Sequence, residues 1–231
     1  MDIRFLGHAT FELSDGSTRV LIDPFLSGNP KAAAKPDDME PTHILVTHGH
    51  VDHILDAAEI AKRTGAACVA LVETANWLGK QGVENVSDPN LGGTVEFDWG
   101  WVKLVQAFHS SETPDGTVTY ASGLVVNLGG KTVYHLGDTC LFGDMKLIAQ
   151  RTPVDVALMP IGGHYTMDRH DAVVAAELIG AGTVIPCHYN TFPPVEADAN
   201  AFKSDVESQT SSKVVVLEVD QTHSVGAGAT A

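Results

Sequence analysis

A chain of 231 residues is long enough to bury about 70% of the surface its unfolded form exposes, so a stable core needs no help from disulfides. Its 44% hydrophobic and 19% charged content is that of an ordinary globular protein, neither disordered nor membrane-embedded. Acidic residues outnumber basic ones 29 to 14, and the net charge of −15 repels a phosphate backbone and argues against general nucleic-acid binding.

The chain opens on strand patterning at residues 2–6, 10–13 and 19–22, with Ser14-Asp15-Gly16-Ser17 as a hairpin turn between the second and third. No basic stretch leads into an apolar run there, so no signal peptide is read, and no run reaches the roughly 20 apolar residues of a membrane span. Residues 28–41 form a Pro/Gly/Ala/Lys-rich loop that crosses to a continuous apolar strand at 43–47. Helical spacing follows over 54–63, then a strand at 67–72 and a helix at 73–80 ended by Gly82. Antiparallel-type strands are expected at 94–97, 101–107 and 120–127, with Gly129-Gly130 turning into 132–136. The remainder alternates: helix 144–150, strand 154–159, helix 171–179, strand 183–186, helix 197–208 and strand 213–219. One domain is expected over residues 1–220, with 221–231 a polar tail frayed or lying on the surface. Two sheets packed face to face with helices outside would bury this pattern, and a doubly wound sheet with an antiparallel edge would also fit.

The strongest chemical signal is Thr47-His48-Gly49-His50-Val51-Asp52-His53, just beyond a buried strand. In an extended loop His48 and His50 project to the same side, as two ligands of one ion must. Asp52 and His53 then stand where the chain turns into a helix and can face a second ion. Desolvating four such groups together without partners costs on the order of several kcal/mol, which a purely structural role does not return. Imidazole and carboxylate donors suit zinc by default, with manganese or iron(II) also accommodated. Further ligands are expected at other strand ends, and His109, Asp138 and His188 each lie just past an apolar strand.

His-x-His-x-Asp-His followed by a His, an Asp and a His at strand ends resembles the metallo-β-lactamase superfamily. Gly7-His8-Ala9-Thr10-Phe11, Ile22-Asp23-Pro24-Phe25-Leu26, His109-Ser110-Ser111, His135-Leu136-Gly137-Asp138-Thr139, Pro160–Met167 and His188–Pro193 are similar to a subfamily of bacterial and archaeal metal-dependent hydrolases related to the ascorbate-6-phosphate lactonase group. The resemblance implies an α/β fold, the four-layer αβ/βα sandwich of two mixed β-sheets with helices on the outer faces. It implies His48, His50 and His109 on one metal ion, Asp52, His53 and His188 on a second, and Asp138 bridging. Two divalent ions of this kind activate a shared water and stabilise the oxyanion of the attacked group, with Asp52 and Asp138 orienting the water. His164, in a Gly-Gly-His-Tyr loop, is the candidate for contacting substrate or donating a proton. His8 and Asp23 are candidates for holding the ligands from behind.

The expected activity is hydrolysis of a small-molecule ester, lactone or related bond. The alternatives are a phosphodiesterase or nuclease of the same superfamily, or a metal-dependent binding or regulatory protein. Cys68, Cys140 and Cys187 form no Cys-x-x-Cys pair and read as reduced thiols, so the expected compartment is the cytoplasm. The partner expected is a small-molecule substrate, with no membrane and no nucleic acid, and a homo-oligomer is left open.

Overall fold

A computed structural model describes residues 1–226. The first half contains β1 (Asp2–Gly7), β2 (Thr10–Asp15), β3 (Thr18–Ile22), β4 (His43–Leu45), α1 (Val51–Ile54), α2 (Ala57–Thr64), β5 (Ala67–Val69), α3 (Val72–Lys80) and β6 (Val86–Ser87). The second contains β7 (Thr94–Phe97), β8 (Gly100–Gln106), β9 (Ser122–Leu128), β10 (Lys131–His135), α4 (Met145–Arg151), β11 (Val156–Pro160), α5 (Arg169–Ile179), β12 (Thr183–Cys187), α6 (Ala199–Gln209), β13 (Lys213–Val214) and β14 (Thr222–Ser224).

These strands form two seven-stranded sheets, ordered β14-β1-β2-β3-β4-β5-β6 and β13-β12-β11-β10-β9-β8-β7. Each begins with antiparallel hairpins and continues parallel, from β3 to β6 in one and from β10 to β13 in the other. Period-two alternation explains the layering. Ile3, Phe5, Phe11, Leu13, Val20 and Ile22 turn inward to meet Val102, Leu104, Leu124, Val126, Val133 and Leu158 of the opposite sheet. Their outward neighbours Leu21, Ile44 and Cys68 pack under α2 and α3, while Tyr134, Ala157 and Val184 pack under α5 and α6 with Phe202 and Val206. The result is the αβ/βα sandwich of two mixed sheets, and the doubly wound alternative is excluded.

Three expectations need correction. The helix expected at 54–63 is broken into α1 and α2, because the buried Asp56 carboxylate instead accepts hydrogen bonds from Leu26 N at 2.6 Å, Ser27 N at 3.0 Å and Ser27 Oγ at 2.6 Å. The strand expected at 213–219 is ladder-paired only over β13. The tail expected from Gln221 is ordered at its start: Thr222–Ser224 pair antiparallel with Asp2–Arg4, covering a sheet edge that would otherwise expose unpaired backbone groups. Residues 227–231 of that tail lie outside the described residues.

Candidate metal centre

Every sequence-selected ligand lies beyond the end of a strand, on the same end of the sandwich. His48, His50, Asp52 and His53 follow β4, His109 follows β8, Asp138 follows β10 and His188 follows β12. His8 caps β1 and Asp23 caps β3. Carboxyl ends of strands are where open α/β sheets gather functional loops. The local backbone is strained there. Of the six non-glycine residues in left-handed conformation among those described, four are His8 (φ 59°), Asp23 (48°), His164 (40°) and His188 (51°). Such conformations cost on the order of 1–3 kcal/mol each and persist where the surroundings over-determine them. Two glycines make close approaches there. Gly49 runs against the backbone of Glu112, where a Cβ would lie 2.8 Å from the carbonyl oxygen, and its N–H donates to Ser111 Oγ at 3.0 Å. Gly137, at φ +64°, turns the chain so that Asp138 points inward.

The geometry converges on one atom. Asp138 Oδ2 has His188 Nε2 at 3.1 Å, His53 Nε2 at 3.4 Å, His109 Nε2 at 3.6 Å and His48 Nε2 at 4.0 Å. His50 Nδ1 lies 3.1 Å from His48 Nε2, and Asp52 Oδ2 lies 3.8 Å from His188 Nε2 and 4.0 Å from His53 Nε2. Three overlapping groups have donor spacing that suits an ion: His48/His50/His109, His48/His53/Asp138 and His8/Asp52/His53/His188. All seven sequence-selected ligands are therefore brought together, and His8 joins them.

Hydrogen bonds from behind fix which nitrogen faces the centre. Asp23, fully buried, accepts from Thr47 N at 2.7 Å and from Thr47 Oγ at 2.6 Å, and its Oδ2 also meets His53 Nδ1 at 2.7 Å. With its proton given to Asp23, the Thr47 hydroxyl accepts from His48 Nδ1 at 3.0 Å. One carboxylate thus holds the N–H of both imidazoles outward and leaves both Nε2 lone pairs facing the cluster. On the opposite side, His8 Nδ1 meets Thr191 Oγ at 2.9 Å and His8 Nε2 meets Asp52 Oδ2 at 3.1 Å. The His188 N–H donates to the His8 carbonyl at 2.7 Å, which ties the two halves of the sandwich together behind the site.

The donor chemistry fits metal. Among the described residues, His53 Nε2, Asp138 Oδ1 and both ring nitrogens of His188 are buried without a hydrogen-bond partner. Buried polar atoms left unpaired are costly, and His53 Nε2 and His188 Nε2, which both face Asp138, are donors a cation would satisfy. The charge distribution agrees. Burial alone would raise the Asp138 carboxyl, but attraction from the nearby His188 and His53 holds it well below the usual carboxylate range. Burial opposes charge on His188 as well, yet Asp138 and Asp52 push it up to about 9. His53 is likewise raised well above its ordinary value against burial, through Asp138 and Asp23. His8 goes the other way, pushed down to about 4 chiefly by burial.

A cavity of about 530 Å³ opens onto this cluster, walled by His50, Asp52, His109, Asp138 and His188 together with Phe25, Val51, Ser110, Tyr165 and Phe192. Larger hollows beside Asn190–Asp198 and along α3 hold no such convergence of donors. His164 is not in the cavity wall. It is exposed and packs edge-on against Tyr165, with ring centroids 4.5 Å apart, and Tyr165 lines the cavity. Thr47 and Thr191, which orient histidines, were not singled out by the sequence, because a threonine beside a ligand carries no signal of its own. Phe25, Ser110, Tyr165 and Phe192 lie within the segments that carry the family resemblance, and that was the available signal.

A beta-lactamase superfamily domain model matches residues 2–188. The chain is 46% identical over 228 residues to a metal-dependent hydrolase of Shouchella clausii, covering 96% of this chain and 99% of that one. It is 50% identical over 220 residues to a metal-dependent hydrolase of Pyrococcus abyssi, covering 94% and 96%. Among solved structures, a metallo hydrolase of the hyperthermophilic archaeon Ignicoccus hospitalis superposes with a TM-score of 0.88 at 37% identity, covering 96% of this chain and 97% of that one. Fold and site together define an enzyme of the metal-dependent hydrolase class. The chain belongs to the metallo-β-lactamase superfamily, within its group of metal-dependent hydrolases.

Proposed function

We propose that the enzyme hydrolyses a small-molecule ester, lactone or related bond at a dinuclear centre. His48, His50 and His109 would hold one ion, Asp52, His53 and His188 the other, and Asp138 would lie between them. The observation that carries this reading is the convergence of four imidazole Nε2 atoms, two from each set, within 3.1–4.0 Å of Asp138 Oδ2. Zinc is the expected ion, with manganese or iron(II) also suited to nitrogen and carboxylate donors. Bound there, the two ions supply Lewis acidity that activates water and stabilises developing oxyanion charge.

The chain's own residues do the rest. Asp23 and Thr47 keep the lone pairs of His53 and His48 directed inward. Asp138 and Asp52 present carboxylate oxygens able to orient a water and accept its proton. Both stay ionised at neutral pH: Asp52, like Asp138, is held far below its ordinary value despite burial, by His188 and His8. The buried floor of His48, His53 and His188 keeps bulk water behind the site out, while half-buried His50, Asp52 and His109 face the cavity. Free Cys68, Cys140 and Cys187 suit a reducing, cytoplasmic setting. No helix among the described residues is long and apolar enough to cross a membrane.

The test is a panel of a lactone, an activated carboxylic ester, a thioester and a phosphodiester, assayed on protein reconstituted with zinc or manganese and on His50→Ala. The expected outcome is a metal-dependent rate on a carboxylic ester or lactone that His50→Ala loses. A rate confined to the phosphodiester would replace this reading with the phosphodiesterase alternative.

A further inference from the structure

The cavity wall divides into two kinds of residue. Donors to the centre form the floor, and the remaining surface is Phe25, Val51, Tyr165, Phe192 and the Ser110 hydroxyl. Phe25 and Phe192 face each other with ring centroids 6.4 Å apart, and both pack edge-on against His8. Val51 and Tyr165, both in the cavity wall, are 50% and 54% exposed, a large apolar exposure beside the centre.

No lysine or arginine lines this cavity, although each of four other hollows has one in its wall: Lys31 in two of them, Lys103 with Arg151 in a third and Lys80 in the fourth. Specific recognition of a phosphate or carboxylate uses Arg or Lys donors. Here a distal anion would find phenyl, isopropyl and phenol surface with one serine hydroxyl and no cationic side chain, in a protein of net charge −15.

We propose that Phe25, Val51, Tyr165 and Phe192 form a subsite for an uncharged aliphatic or aromatic group beside the scissile bond. The substrate class is then a neutral apolar ester or lactone, not a phosphorylated or carboxylate-bearing one. This rests on the hydrolytic reading above and departs from the phosphorylated substrate that the lactonase resemblance suggests. In the reaction the water oxygen bonds to the acyl carbon, the acyl C–O bond breaks, and a water proton ends on the departing alcohol oxygen. The apolar group takes no part beyond fixing the acyl carbon above the centre.

Two probes that are not turned over separate the subsite from the chemistry: hexanohydroxamic acid and its ω-carboxylate counterpart, adipic acid monohydroxamate. Both are titrated calorimetrically into the zinc-reconstituted full chain. The expected result is at least tenfold tighter binding of the uncharged probe, with roughly threefold more affinity per methylene added up to the cavity limit. Tyr165→Lys and Val51→Lys, both at exposed rim positions, are expected to narrow or reverse the preference while retaining the wild-type thermal midpoint. Equal or tighter binding of the carboxylated probe by wild type overturns the proposal, as does a preference unmoved by both lysine variants. Initial rates on 4-nitrophenyl hexanoate and on the carboxylate-tailed 4-nitrophenyl ester of adipic acid complete the test. Discrimination between the hydroxamates with no hydrolysis of either ester removes the hydrolytic reading and leaves the subsite. Hydrolysis of both esters at equal kcat/KM, with no discrimination, does the reverse.

Discussion

Asp23 is the residue through which the fold sets up the centre, and Asp23→Asn tests that claim with almost no change of volume. The wild-type carboxylate takes three hydrogen bonds, from Thr47 N, Thr47 Oγ and His53 Nδ1. An asparagine offers one acceptor oxygen and one NH2 group, so at least one of these donors would face another donor. Hydrogen bonds to a charged group are worth about 1.5–3 kcal/mol, and a mismatched buried donor costs a similar amount. The cheapest escape is for His53 to move its proton to Nε2, where the N–H would point at Asp138 Oδ2, 3.4 Å away, and occlude the lone pair meant for metal. Losing such an orienting partner lowers metal affinity by about 10–100-fold, or about 1.4–2.7 kcal/mol. Competition with a chromophoric zinc chelator measures it, with circular dichroism as the control for folding. Thr47→Val removes the acceptor for His48 and one donor to Asp23 but leaves the Asp23–His53 bond, and is expected to weaken the His48/His50/His109 side more than the other. Wild-type affinity at both sites in folded Asp23→Asn would refute the tautomer argument.

The metal-free protein should be most stable near pH 6.5. His188, raised to about 9, keeps a proton on folding that the unfolded chain has lost, so its contribution is complete below 6.5 and disappears as pH rises through about 9. His8, held near 4, contributes the opposite slope, losing stability as pH falls from 6.5 through about 4. Thermal midpoints of chelator-treated protein across that range check it, and a midpoint still climbing at pH 9 would contradict it. His8→Ala removes the contact to Asp52 Oδ2, so the ion on the Asp52 side should bind about tenfold more weakly while the other is unchanged. Unchanged affinity for both ions would remove His8 from the centre. Gly137→Ala places a Cβ 2.6 Å from the Ser122 carbonyl at a left-handed backbone position, and should cost about 1–3 kcal/mol in denaturant unfolding with loss of bound metal.

Much of this was legible in the sequence because buried strands are written as apolar runs and the ligands follow them directly. The elements misread are those whose existence depends on remote partners. β6 is two residues long with half-exposed side chains, and β14 is Thr-His-Ser, so neither carries a hydrophobic period; both exist because an edge strand accepts their backbone bonds. Likewise 54–63 has unbroken helical spacing, and only the distant Leu26–Ser27 backbone, satisfied by Asp56, explains the break. At the site, motif and strand position picked out the seven candidate ligands that the fold brings together, and the family segments picked out Asp23 and His8 beside them. His164, singled out in the sequence, lies outside the cavity wall while its neighbour Tyr165 lines it, because adjacent residues in a turn point in different directions. The apolar character of the cavity was equally hidden, since Phe25, Val51 and Phe192 come together only when two separate loops meet the start of α1.

The most direct test of the central claim is metal content by elemental mass spectrometry, on wild type and Asp138→Ala after reconstitution with zinc and removal of loose metal. Two equivalents in the wild type, falling to one or none in the variant, is the expected result, because Asp138 is the carboxylate on which both halves of the cluster converge. A single equivalent in the wild type, or two retained in Asp138→Ala, would contradict the dinuclear account.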